Sequence, residues 1–151
     1  MGEPIPERVV RVMLIDDADD DAFLTRELLA DIPGTHFTMD WEPDCAAALD
    51  AICRGSHDVY LVDYLLGDRT GLDLIREAER RNCRAPLILL TGQGQREVDC
   101  EAMQAGAADY LEKSKLDATL LERAIRYAIQ NKRSEEELER RVAERTAELA
   151  E

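Results

Sequence analysis

Positive charge is scarce in this 151-residue chain: 19 Lys and Arg stand against 33 Asp and Glu, a formal net charge of -14. That balance opposes nonspecific attraction to nucleic acid or to an anionic membrane surface, and no basic cluster reverses it. Long apolar runs are also missing, so nothing in the sequence approaches a membrane span. The four cysteines, Cys45, Cys53, Cys83 and Cys100, share no CxxC spacing. The expectation is therefore neither a zinc site nor a disulfide framework, but free thiols on helix faces in a reducing cytoplasm. The opening "MGEPIPERVV" has acids and prolines where a signal peptide needs a cationic start and an apolar core. His36 and His57 have no acid at a useful spacing and are expected to be solvated. What remains is a cytoplasmic chain with length for one full hydrophobic core and some excess.

Short apolar runs alternate with longer amphipathic ones, the pattern of βαβ units around a parallel sheet. Strands are expected at 9–15, 36–41, 59–62, 86–91 and 109–112. Three of these are almost continuously apolar, as strands buried on both faces should be. Helical spacing runs from Ala22 to Ile32, Asp44 to Cys53, Leu72 to Arg80 and Arg96 to Ala105, with Pro33-Gly34, Gly55, Gly71 and Gly106 as punctuation. A fifth helix starts near Asp117 and meets no Gly or Pro before Glu151. It is longer than a packing helix needs, so its second half is expected to project from the globule.

In an open parallel sheet, ligands bind outside the carboxyl ends of the strands. Here those ends carry Asp16 and Asp17, then Asp63, then Thr91 followed by Gly92, then Lys113. Carboxylates brought together raise one another's pKa unless a cation neutralises them. An all-oxygen set of this kind points to Mg²⁺. A carboxylate is also a competent nucleophile toward an activated phosphoryl group, and such transfer is mostly positioning and charge neutralisation. Asp19, Asp20 and Asp21 have a plainer reading, as favourable charge at a helix N-terminus with no ligand role. The "TGQGQ" stretch is too weak for a phosphate-binding glycine fingerprint.

Taken in order, "LIDD", "LVDY" followed by Gly71, "LLTG" and "ADYLEK" resemble the receiver domain of two-component response regulators, over about residues 9 to 130. The resemblance implies a flavodoxin-like, doubly wound α/β fold with a five-stranded parallel sheet of order 2-1-3-4-5. It implies that Asp63 is the phosphoacceptor and that Asp16, Asp17 and the Leu65 carbonyl join it around Mg²⁺. Thr91 and Lys113 would hold the phosphoryl oxygens, and Tyr110 would be the aromatic switch residue. The implied partner is a histidine kinase or phosphotransfer protein. Two positions depart from the family pattern. Gly67 replaces the usual proline four residues after the phosphoacceptor, which predicts a more mobile loop. Ser114 follows Lys113 where a proline, commonly cis, is usual, and a cis bond before a non-proline costs about 3 kcal/mol.

A heptad register through Leu121, Ala124, Ala128, Asn131, Glu135, Leu138, Val142, Arg145 and Leu149 gives an interrupted apolar seam. Its end, "LERRVAERTAEL", resembles helical linkers that precede sensor or kinase modules. Residues 131–151 are thus expected to be a coiled-coil-like linker after the 9–130 receiver, able to support a homodimer and leading to a further module. In isolation, the same stretch reads equally as a solvated helix. The expected function is a phosphorylation-controlled switch without enzymatic output of its own. The rivals are a Mg²⁺-dependent phosphotransferase or phosphatase with an aspartyl intermediate, and the N-terminal receiver of a larger sensor kinase. The phosphatase reading wants a second acid two residues after the nucleophile, and Leu65 stands there.

Overall fold

Strands rich in Val, Ile and Leu lie at the centre because they can be covered on both sides. The computed structural model describes residues 8–92 and 97–149. Five parallel strands, β1 (Arg8–Ile15), β2 (Thr35–Glu42), β3 (Val59–Asp63), β4 (Leu87–Thr91) and β5 (Asp109–Glu112), form one sheet. Its order is β2-β1-β3-β4-β5, the order expected from the resemblance. Every residue of β3 and β4 is buried, whereas β2, at one edge, alternates between half-buried and exposed positions.

The helices are α1 (Asp19–Ala30), α2 (Cys45–Arg54), α3 (Gly71–Arg80), α4 (Glu97–Ala105) and α5 (Ala118–Leu149). Alternation along the strands divides the core into two layers. Met13, Ile15, Tyr60, Val62 and Leu89 face the side covered by α2, α3 and α4. Val12, Leu14, Leu61, Ile88 and Leu90 face α1 and α5. At α3 the capping box of Thr70 and Asp73 satisfies the first amides. Gly71 lets that helix start against the end of β3, because a Cβ there would strike the Asp63 carbonyl and the Leu89 side chain.

Register places the functional ends. Ile15 pairs with Val62, and Asp63 with Leu90, so Asp16 leaves β1 level with Asp63. Thr91 pairs with Glu112, which brings the next residue, Lys113, to the same edge. A two-stranded hairpin, Leu65–Leu66 with Arg69–Thr70, closes the loop after β3. Gly67 takes φ +64° in its turn, a conformation proline cannot adopt. Lys113 opens a 3₁₀ turn over Lys113–Lys115, and no peptide among the described residues is cis.

Three expectations need correction. Cys53 and Cys83 are joined in a disulfide, with Cα atoms 4.8 Å apart and a sequence separation of 30. The end of α2 and the loop after α3 meet at one end of the sheet, a proximity that cysteine spacing does not encode. Cys45 is free and half-buried, and the Cys100 side chain lies outside the described residues. His57 is not solvated: its ring is only 10% exposed, Nε2 lies 2.6 Å from Asp40 Oδ2, and Nδ1 lies 2.7 Å from Ser56 Oγ. The partner acid comes from β2, 17 residues away. Asp21 does more than charge a helix terminus, as its contact with Lys113 described below demonstrates. The "TGQGQ" residues 93–95 lie outside the described residues.

Helix α5 has 32 residues, about 48 Å at 1.5 Å per residue. Leu121, Ala124, Ile125 and Ala128 are buried on the sheet. From residue 133 to 147 every residue is exposed, Leu138 and Val142 included. The heptad seam therefore divides: Leu121, Ala124 and Ala128 serve the globule, and Asn131, Glu135, Leu138, Val142 and Arg145 face solvent.

Candidate functional site

The Asp16 carbonyl oxygen accepts the indole N–H of Trp41 at 2.6 Å, and the Asp16 amide donates to the Glu42 carbonyl at 3.3 Å. These bonds to β2 fix the backbone as it leaves β1. The Asp16 carboxylate accepts the Ala18 amide at 3.0 Å and is fully buried. Asp63 is buried at the tip of β3, while Asp17 is exposed. One oxygen from each of Asp16, Asp17 and Asp63 can be chosen so that all lie within 4.8 Å of one another. This set of three carboxylates fits a hard divalent cation that takes oxygen ligands.

The compensating positive charge comes from Lys113. Its Nζ lies 2.9 Å from Asp63 Oδ1, 2.6 Å from Asp21 Oδ2 and 3.3 Å from Asp16 Oδ2. Burial pushes the Asp16 carboxyl up to about 6; the Ala18 hydrogen bond opposes this and the Asp63 charge adds to it. Burial also raises Asp63, against the pull of Lys113. For Lys113, burial acts to lower the pKa, but the bonds to Asp21 and Asp63 outweigh it and hold the ammonium above its ordinary value. The site thus favours the charged Lys113 ammonium, while burial disfavours ionisation of Asp16 and Asp63.

Thr91 is buried, and its hydroxyl donates to the Leu111 carbonyl at 3.4 Å. It is directed at the neighbouring strand. Tyr110, on the other side of that strand residue, is exposed. Asp16, Asp17, Asp63 and Lys113 are thus brought together as the sequence implied, with Thr91 on the adjoining strand end. Leu65 begins the hairpin two residues beyond Asp63, its side chain exposed. Two participants escaped the sequence reading. Trp41 gave no local signal, since its bond to Asp16 spans 25 residues. Asp21 did carry one: it lies in the first turn of α1, at the same strand-end edge as the acid pair.

An open parallel α/β domain with acids and a lysine at the strand ends is a class that binds its ligand at the sheet's switch point. Within that class, the chain belongs to the response regulator receiver domain family, whose sequence model matches residues 12–126. It is similar to the two-component response regulator PhoP of Pseudomonas aeruginosa, 33% identical over 95 residues, covering 63% of this chain and 42% of PhoP. It is also similar to the chemotaxis protein CheY-3 of Vibrio cholerae, 28% identical over 123 residues, covering 80% of this chain and 93% of CheY-3. Among solved structures, FixJ-N matches with a TM-score of 0.66 and 26% identity, over 80% of this chain and 94% of its own. The chain spans less than half the length of PhoP. No described helix is long and apolar enough to cross a membrane.

Proposed function

We propose that this chain is a phosphorylation-controlled switch that takes a phosphoryl group onto Asp63 from a histidine kinase or phosphotransfer protein. The observation that carries it is the Lys113 ammonium 2.9 Å from Asp63 within the three-acid cluster. In the transfer, an Asp63 oxygen attacks phosphorus as the donor's P–N bond breaks, and the bonding electrons leave with the imidazole nitrogen. Asp16, Asp17, Asp63 and the Leu65 carbonyl would hold Mg²⁺, which supplies neutralisation of the phosphoryl charge. Lys113 and Thr91 would hold phosphoryl oxygens, Thr91 by leaving Leu111, and Tyr110 would turn into the space behind it.

Residues 9–130 would form the receiver and 131–151 a linker that passes the change on, to a second copy or to a further module. Such a switch has no need of direct nucleic-acid contact, and the charge of -14 disfavours it. A cytoplasmic setting fits a kinase partner. The phosphatase alternative is weakened by Leu65, whose side chain cannot act as a general acid.

Intact-mass measurement after incubation with acetyl phosphate and Mg²⁺ tests the proposal. One added phosphoryl group is expected on the wild type, and little in excess chelator. Equal labelling of Asp63→Ala would overturn the assignment.

A further inference from the structure

Lys113 has three N–H donors and three carboxylate partners. Its Nζ donates hydrogen bonds to Asp21 and Asp16 and is ion-paired with Asp63, so the ammonium is shared among three acids before any phosphoryl group arrives. A phosphoryl oxygen must then compete with these carboxylates for the ammonium. Asp16 is fully buried, and Asp63 is the group being modified. Asp21, the nearest of the three at 2.6 Å, has a side chain 36% exposed, so water can solvate it at the least cost. Its backbone is held independently, since the Asp21 carbonyl accepts the Thr25 hydroxyl at 2.8 Å. The side chain can swing away without unwinding the first turn of α1.

We infer that Asp21 is a positioning residue for phosphoryl acceptance: it parks the Lys113 ammonium at the outer edge of the site and competes with the incoming phosphoryl group for it. This inference rests on the role of Asp63 given above. Its consequence is charge-dependent. The Asp21 carboxylate repels an anionic donor and holds back the cation that the donor needs. Asparagine at this position keeps an oxygen acceptor for Lys113 and removes the competing charge. Alanine removes both.

The test compares wild type, Asp21→Asn and Asp21→Ala in Mg²⁺, using beryllofluoride affinity and the rate of phosphorylation against donor concentration. Acetyl phosphate and the less negatively charged phosphoramidate serve as donors. Asp21→Asn should bind beryllofluoride roughly two- to fivefold more tightly, the range an exposed ion pair commands. It should lower the half-saturating concentration of acetyl phosphate by a similar factor, leave the maximal rate nearly unchanged, affect phosphoramidate less, and lose most of its advantage in high salt. NMR of the Lys113 ε-methylene should show that beryllofluoride moves the side chain in the wild type but hardly in Asp21→Asn. Loss of labelling with both donors alike, together with a lower melting temperature in both variants, would mean that Asp21 is only structural. Unchanged affinity in a wild type that does bind the mimic overturns this inference alone. A wild type that neither labels nor binds it overturns the role of Asp63 as well.

Discussion

Trp41 donates its indole N–H to the backbone carbonyl of Asp16 at 2.6 Å, which couples the chain's single tryptophan to the acid pair. The indole is half-buried, so a small shift of the Asp16 backbone alters its surroundings. Mg²⁺ binding is therefore expected to change the intrinsic fluorescence, with saturation following the metal affinity. Asp17→Asn removes one carboxylate of the cluster without touching the indole, and should shift the midpoint to higher Mg²⁺. An unchanged midpoint would exclude Asp17 as a ligand.

The raised pKa of Asp16 makes a pH prediction with a definite sign. Its folded value is about 6 against 3.8 ordinarily, so the folded protein favours the protonated form. That contribution to stability is fully present below about pH 4 and is lost as pH rises through about 6. Asp63 is raised as well and acts in the same direction. In chelator, the melting temperature of the wild type relative to Asp16→Asn should therefore fall between pH 5 and pH 7, because the asparagine has no proton to lose. Mg²⁺ requires ionised carboxylates, so the stabilisation it brings should grow over the same interval. A parallel pH dependence in the two proteins would mean that Asp16 is ionised throughout.

The sheet was legible because buried parallel strands are nearly continuous in apolar residues, and "VYLVD" and "LILLT" cannot be mistaken for half-solvated strands. Asp16 and Asp63 were legible because they stand at the carboxyl ends of such strands; Lys113 follows the shorter, mostly unburied β5, and strand register aligns it with the others. What was missed depends on contacts between elements. His57 meets Asp40, and Cys53 meets Cys83, only after helices and strands have packed. Asp21 was misread for a different reason. A first-turn acid has a sufficient local explanation in the helix dipole, and only the position of Lys113, 92 residues away, shows what else it touches.

The Cys53–Cys83 bond closes a loop of sequence separation 30, its cysteines in the segments that lead into β3 and β4, whereas the acids lie at the strands' carboxyl ends. Loop-closure entropy assigns such a cross-link about 3 to 4 kcal/mol. Oxidised protein should have a mass about 2 Da below the reduced form, from the loss of two hydrogens, and reductant should lower the melting temperature. Cys53→Ser should melt near the reduced wild type and be insensitive to reductant. A chain purified without reductant that still reacts with thiol reagents at Cys53 would show that the bond does not form in solution.

The tail supplies the last test. The Arg84 guanidinium, in the loop before β4, pairs with Glu139 on the exposed half of α5. Helix α5 begins three residues beyond the Lys113–Lys115 turn, and Glu139 lies 21 residues further on, roughly 32 Å along the helix. If Lys113 and Thr91 engage a phosphoryl group as proposed, a small reorientation at the helix root would be amplified at Glu139. The exposed seam of Leu138 and Val142 is interrupted by Glu135 and Arg145, too weak to associate strongly alone. A bias of ~1.4 kcal/mol changes such a pairing tenfold. Beryllofluoride should accordingly change the dimer affinity of the full chain, or the distance between spin labels at Ala143 in two chains. Arg84→Ala should loosen the tail, seen as faster hydrogen exchange over 133–147, and alter the size of the response while leaving the mimic's affinity intact. The response should vanish in a chain cut after Asn131 that still binds the mimic. If both lengths respond identically, or neither responds while Asp63 is occupied, the output of the switch lies elsewhere than in the tail.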